Sequence, residues 1–269
     1  MIDSCPVQPT IPIALAGIGP AGESTLQRLC AEQLPNVHCL QNDGSLAPEL
    51  LHKVGLLILV AQLDSLADCN AVLDLAGQVQ SSGFGANTLY VVMQPSAGAG
   101  ERQKVLAHYS LQTLEMHVDA TVVLPGDDGE DLCTWLTERV ADLAQAVDHN
   151  ASVRIGINDL TNLLRNAGPA VWVSAQSEGV DRADAAAKAL CNQHARHAVP
   201  GHAYQHAMVY VQGARQSLKL SETRVLLKAV SQQMLTDIAH LVCCVSYEDN
   251  LGTRVRVSAL LCRPQARTV

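Results

Sequence analysis

Asp131-Leu-Cys-Thr-Trp-Leu-Thr-Glu-Arg-Val-Ala-Asp-Leu-Ala-Gln-Ala-Val147 lies near the middle of the chain and divides two differently patterned halves. Leu132, Trp135, Leu136, Val140, Leu143 and Val147 recur at spacings of three and four, which puts one apolar stripe on a helix. Glu130 and Asp131 are expected in its first turn, where carboxylates complement the helix dipole. The spacing predicts a long central helix joining two α/β halves.

Before this helix, short apolar runs alternate with helical patterns. Ile11 to Ala16, Val37 to Leu40, Leu56 to Ala61, Thr88 to Met93 and Ala120 to Leu124 read as strands. Helical patterns follow through Leu26 and Leu29, over Ala47 to Lys53, Ala71 to Gln80 and Glu101 to Leu114. Five βα units in succession imply a doubly wound, mostly parallel sheet, with ligand loops at the carboxyl ends of the strands. After the helix come a helix over Asn158 to Asn166, a strand Ala170 to Ser174 and a helix Asp184 to Leu190. The strand Ala207 to Val211 and a helix Glu222 to Gln233 capped by Ser221 follow. Two terminal strands, Leu241 to Val245 and Val255 to Leu261, flank a turn at Glu248 to Gly252. This half reads as a smaller α+β domain with a mixed sheet, giving units 1–130, 131–148 and 149–269.

Composition narrows the function. The 269 residues are 48% hydrophobic and 16% charged, so the chain is globular. Only 3% is aromatic, which leaves the core to aliphatic side chains. A net charge of −8 supplies no basic footprint for nucleic acid. Residues 1–10 are polar, with two prolines, unlike a secretory signal. Val54 to Leu63, at about ten residues, is too short to cross a bilayer. The nine cysteines form no CxxC pair and are expected to be reduced thiols in a cytoplasmic protein.

Three features carry chemistry. Gly17, Gly19 and Gly22 satisfy GxGxxG between a strand and a helix, where free N–H groups and the helix dipole converge on an anion. Pro20 removes one donor there and Glu23 adds negative charge. Asp43, Asp64, Asp68, Asp127 and Asp128 lie near strand ends and either hold a divalent cation or are solvated loop acids. His194, His197, His202 and His206 lack a carboxylate or thiol at helical spacing, so they are expected in a solvated connector with no metal.

His117-Val-Asp119 before the strand ending at Pro125-Gly-Asp-Asp128 resembles a segment of FtsZ. Asn158-Asp-Leu-Thr-Asn-Leu-Leu164, Gly179-Val-Asp-Arg-Ala183 and the helix at Ser221 followed by a terminal hairpin resemble the FtsZ carboxy-terminal domain, in the same order. The resemblance runs from Ile11 to about Arg263 and implies a tubulin/FtsZ fold. It also implies GTP at the first Gly-rich turn. A bound guanine nucleotide would then touch Gly17, Ile18, Gly19, Gly22, Ser24, Asn42, Pro95 and Arg102, and Asp159 would be the remnant of the catalytic acid that one subunit presents to its neighbour's GTP.

The departures are as informative. The Gly-Gly-Gly-Thr-Gly-Thr-Gly loop that wraps the phosphates in the family is here Gln62-Leu-Asp-Ser-Leu-Ala-Asp68. The Glu and Arg of its Pro-containing loop are replaced by Ala99 and Gln103, and the Asn-x-Asp-x-x-Asp catalytic segment by Arg154 to Asp159. Phosphoryl transfer rests on positioning and charge stabilisation, so loss of these parts leaves little rate enhancement. The expectation is a scaffold that does not hydrolyse GTP and works with no cofactor, its partner being itself or another FtsZ-like protein, with neither nucleic acid nor membrane insertion involved. The alternative is a GTP- or GDP-bound switch with weak or no turnover. The chain stops a few residues past its last strand, so no tail for recruiting membrane tethers is expected.

Overall fold

The computed structural model describes residues 12–40, 54–81, 87–96, 98–126, 131–147, 152–165, 167–198 and 201–263. Asn42, Asp43, Asp127, Asp128 and the helix expected over Ala47 to Lys53 lie outside them.

Among the described residues, nine strands form one sheet; numbered by their order along the chain, they lie side by side as second, first, third, fourth, fifth, sixth, ninth, seventh and eighth. The amino-terminal strands are β1 (Ile13–Ile18), β2 (Val37–Leu40), β3 (Leu56–Gln62), β4 (Asn87–Met93) and β5 (Ala120–Leu124). All pair in parallel. β1, β3 and β4 are apolar without alternation because both faces are covered. Ile13 and Leu15 face α1 (Gly19–Ala31) and the central helix α4 (Leu132–Ala146), together with α5 (Ile157–Leu164). Ala14, Ala16 and Ile18 face α2 (Leu66–Ser81) and α3 (Glu101–Glu115).

The carboxy-terminal strands are β6 (Gly168–Ser177), β7 (His206–Gly213), β8 (His240–Tyr247) and β9 (Val255–Cys262). α6 (Arg182–His197) and α7 (Leu220–Ala229) cover one face of them. The other face, through Trp172, Met208, Tyr210 and Leu260, joins the same core as α4. All six apolar positions of the α4 stripe are buried. Polar bonds fix the contact: Tyr210 donates to Gln145 Oε1 at 2.7 Å and Gln212 Nε2 donates to the same oxygen at 2.8 Å. α4 therefore packs under both halves, as its stripe predicts.

Several expectations need correction. β8 and β9 are not a hairpin, because β7 lies between them, parallel to β8 and antiparallel to β9. Burial explains this order: β7 and β9 are covered on both faces and take inner positions, while half-exposed β8 takes the edge. Ser221 does not cap α7. The helix starts two residues earlier than expected, at Leu220, and the Glu222 carboxylate reaches back to accept from Lys219 N at 2.8 Å. A π-helical turn, Val230–Met234, follows α7 directly. Asp131 is the N-cap of α4 rather than a first-turn residue, accepting from Thr134 N at 3.2 Å. His194 and His197 belong to α6 and His206 opens β7, so the expected His-rich connector shrinks. The His194 ring packs edge-on against buried Tyr204, 5.5 Å between centroids.

The thiols are also not all reduced. Cys30, in the last turn of α1, is disulfide-bonded to Cys39 on β2. α1 crosses back over the sheet toward edge strand β2, so the two Cα atoms come within 6.1 Å. A spacing of nine residues across two elements carries no sequence signature of that approach.

The Gly179-x-Asp-Arg motif has a structural explanation. Arg182 is buried at the start of α6. Its guanidinium grips Glu222 through Nε at 2.6 Å and Nη2 at 2.9 Å. It also donates to Thr253 O and Ser217 O, each at 2.5 Å. One side chain thus ties α6 to α7 and to the loops before α7 and β9.

Candidate functional site

The strand order reverses at β1, which has β2 on one side and β3 on the other. In open parallel sheets that switch point is where a ligand crevice forms, beyond the carboxyl ends of the strands. β1 ends at Ile18 and α1 begins at Gly19 with no intervening loop. No side chain caps α1, and Pro20 in its first turn has no N–H to offer.

The three glycines serve different ends. Gly17 lies within β1, paired with Val60, and an added Cβ would sit 2.4 Å from Gly22 O. Gly22 packs on β3 so closely that a Cβ would lie 2.4 Å from Val60 O. These two seat α1 on the sheet. Gly19, with φ of 69°, makes the strand-to-helix reversal that an L side chain resists.

An acid reaches this reversal from the next connection. α2 starts at Leu66, five residues before the expected Ala71, so that Ser65 and Asp68 bracket its first turn. Asp68 N donates to Ser65 Oγ at 3.1 Å, and Ser65 Oγ donates to Asp68 Oδ2 at 2.6 Å. The other oxygen, Oδ1, stands only 2.5 Å from where a Cβ on Gly19 would be. A carboxylate of the chain itself therefore lies over the Gly-rich turn. The pattern Ser65-x-x-Asp68 is a capping signal that could have been found in the sequence; its approach to Gly19 could not.

The rest of the β3–α2 connection is closed as well. Leu63 is buried with the α2 and α3 core, and its N–H donates to Met93 O at 3.0 Å. Gln62 Nε2 donates to Asp64 Oδ2 at 2.5 Å. Desolvation, then the neighbouring Asp68 charge, push the Asp64 carboxyl above its ordinary range, against the Gln62 bond. Gln103 of α3 bridges Gly100 N, at 3.1 Å, and Asp64 O, at 2.8 Å. Together these contacts leave a buried leucine and two acids in the β3–α2 connection.

The remaining expected contacts are spread over several elements. The Ile18 side chain is buried in the core. Ser24 and Arg102 are exposed, and no hydrogen bond or ion pair among the described residues engages the Arg102 guanidinium. Pro95 is half-buried where Gly126 packs against residues 94–96. Asn42 lies outside the described residues. Asp159, expected to act on a neighbouring subunit's nucleotide and not on its own, is at the other end of the sheet: Thr161 on the same helix accepts from Asn87, the first residue of β4, at 3.2 Å. The seven residues of β4 separate that end from Pro95 by roughly 20 Å. The Asp159 carboxylate caps α5, accepting from Gly156 N at 3.0 Å. Among the described residues, no group of three or more His, Cys, Asp or Glu side chains is placed to hold a metal ion.

No family model matches the chain. Among curated proteins, the cell division protein FtsZ of Neisseria meningitidis is 26% identical over 170 residues, 58% of this chain and 43% of that protein. FtsZ of Neisseria gonorrhoeae matches to the same extent. The chain thus spans less than half the length of the curated relatives it matches. Solved structures align far more completely. An empty FtsZ dimer of M. jannaschii superposes with a TM-score of 0.77 at 20% identity, covering 97% of this chain and 90% of that one. CetZ2 of Haloferax volcanii, a GTPγS-bound protofilament, gives 0.66 at 16% identity over 96% and 95% of the two chains. A GTPγS-form TubZ protofilament of Bacillus thuringiensis serovar israelensis gives 0.65 at 9% identity, covering 94% and 86%.

Proposed function

We propose that this chain, a divergent FtsZ-like protein with the tubulin/FtsZ fold, is a nucleotide-independent scaffold that associates end to end with copies of itself or with another FtsZ-like protein. The observation that carries this reading is the Asp68 carboxylate standing over Gly19. A phosphate entering that turn meets a fixed negative charge at the helix terminus that should attract it, with Asp64 close behind. The other half of the reaction is weakened too, because Asp159 is engaged as a helix cap. The packing scaffold, by contrast, is kept: the two halves share one core under α4, and Arg182 staples the carboxy-terminal half. Two of the similar structures are protofilaments and one is a dimer, which motivates end-to-end association here.

Calorimetry with GTP and GDP, alongside sedimentation velocity with and without nucleotide, tests the reading. It expects no heat and an assembly state that ignores nucleotide. Micromolar binding with nucleotide-dependent sedimentation would overturn it in favour of a switch. Asp68→Ala is the companion measurement. Removing the carboxylate should raise affinity for inorganic phosphate or GTP above that of the wild type; an unchanged null result would mean that Asp68 is not what excludes the anion.

A further inference from the structure

The Cys30–Cys39 bond closes a short loop at a thinly supported edge of the sheet. β2 has a neighbour on one side only, pairs with β1 over four residues, and is half-buried or exposed at each of them. The stretch between the two sulfurs is strained. Gln33 and Asn36 are the two non-glycine residues with positive φ among the described residues, at 49° and 60°, and both lie inside this loop. Asparagine visits that region readily; a glutamine Cβ crowds the following carbonyl there. The Glu32, Gln33 and Pro35 side chains are exposed, so no packing offsets the strain.

The bond is also reachable. Cys30 and Cys39 are both half-buried, whereas Cys69, Cys133, Cys244 and Cys262 are buried thiols. Burial pushes the half-buried Cys191 and Cys243 thiols up, the latter to about 11, so they offer little thiolate to compete. A bond between the two halves would brace the whole fold. This one joins neighbouring elements, and ties down only β2 and the end of α1.

We propose that Cys30–Cys39 is a redox latch on the edge of the sheet: a dithiol opens it, β2 leaves β1 while the remainder of the chain stays folded, and a small disulfide closes it again. A thiolate of the dithiol attacks Cys30 Sγ, the S–S bond breaks, and Cys39 departs as a thiolate that takes up a proton. The second thiol then displaces Cys30, leaving two protein thiols and the dithiol oxidised to its own disulfide. Cys39 is the better leaving group, because Cys30 lies in the last turn of α1, where the helix dipole disfavours a thiolate. Arg28 in that turn is already paired with Asp131 at 3.0 Å. Once the bond opens, relief of the strained turn favours release, and β1 becomes the edge strand with its backbone bare on that side. The latch is independent of the association proposed above.

Dithiothreitol is the probe, with each cysteine followed by alkylation and peptide mass spectrometry. Without urea, it should open Cys30–Cys39 in the full chain while circular dichroism stays that of the folded protein. Cys39 should then be alkylated within about tenfold of the rate of a cysteine in an unstructured peptide, because opening of such a segment costs little. Cys69, Cys244 and Cys262 should stay unlabelled. Replacing the reductant with oxidised glutathione should restore the bond. Gln33→Gly, which accepts positive φ freely, should slow alkylation of Cys39 in the reduced chain several-fold. Reduction that needs urea, a Cys39 as slow as the buried thiols, buried thiols labelled along with Cys39, a bond that does not re-form, or an unchanged rate in Gln33→Gly would each overturn the proposal.

Discussion

Replacing Arg182 with methionine is the sharpest test of how the carboxy-terminal half is held. Methionine keeps the buried stem of the side chain and removes the guanidinium. The loss strands the Glu222 carboxylate, whose side chain is only 14% exposed, and frees Thr253 O and Ser217 O from their shared donor. Breaking a buried ion pair from one side costs about 3–5 kcal/mol, because the abandoned charge keeps its desolvation penalty. The two carbonyls draw on the same rearrangement, so their cost is not added separately. In a chain of this size that corresponds to a fall in melting temperature of roughly 6–20 °C. Thermal and urea unfolding followed by circular dichroism would measure it, provided the transition is two-state. The pair also sets an acid limb. The hydrogen bond from Arg182, opposed by desolvation, holds the Glu222 carboxyl below its ordinary value of 4.5. Stability from the pair is therefore present above about pH 4.5 and lost as pH falls through the lower folded value. Arg182→Met should flatten that limb, and adding Glu222→Leu should recover part of the lost stability. A loss under about 1 kcal/mol, the size of an exposed pair, would refute the view that Arg182 is the central staple of this half.

Other outcomes follow from single contacts. Burial pushes the Asp142 carboxyl on α4 up to about 6, against the opposing charges of Arg256 and Arg139 and a bond from Ser258. The folded state then holds a proton that the unfolded chain has released, so stability should fall by up to about 3 kcal/mol between about pH 4 and 6 and level off above; Asp142→Asn should remove that slope in pH-dependent urea titrations. Reducing Cys30–Cys39, or replacing both with serine, should lower stability by about 2–3 kcal/mol through the freed loop entropy of the unfolded chain, measured as a shift in urea midpoint with and without reductant. Gly22→Ala should destabilise by about 1–3 kcal/mol, because the new methyl meets Val60 O and must push α1 off the sheet; an unchanged melting temperature would show that α1 moves freely there.

The identity of the elements was written locally. Runs such as Leu56 to Ala61 are apolar on both faces because both faces of a parallel sheet are covered, and the stripe on Asp131 to Val147 marks a helix seated in a core. The Gly17 to Gly22 spacing correctly marked a strand passing into a helix, and two of those glycines let α1 seat closely on the sheet. Gln62 to Asp68, without a glycine, argued against a phosphate-wrapping loop, but did not show that Leu63 would be buried there and Asp68 turned to Gly19.

What local pattern could not supply is which distant groups meet. Inserting β9 between β6 and β7, joining Cys30 to Cys39, aiming Asp68 at Gly19 and closing Trp135 on Trp172 all depend on how whole elements stack. Periodicity reports the environment that a residue requires, a buried face or a solvated one. The partner that provides it is chosen by competition among all the faces of the folded chain. The sequence by itself determined the elements and the absence of glycine from Gln62 to Asp68; only the tertiary structure decided that the Asp68 carboxylate stands over the turn at Gly19.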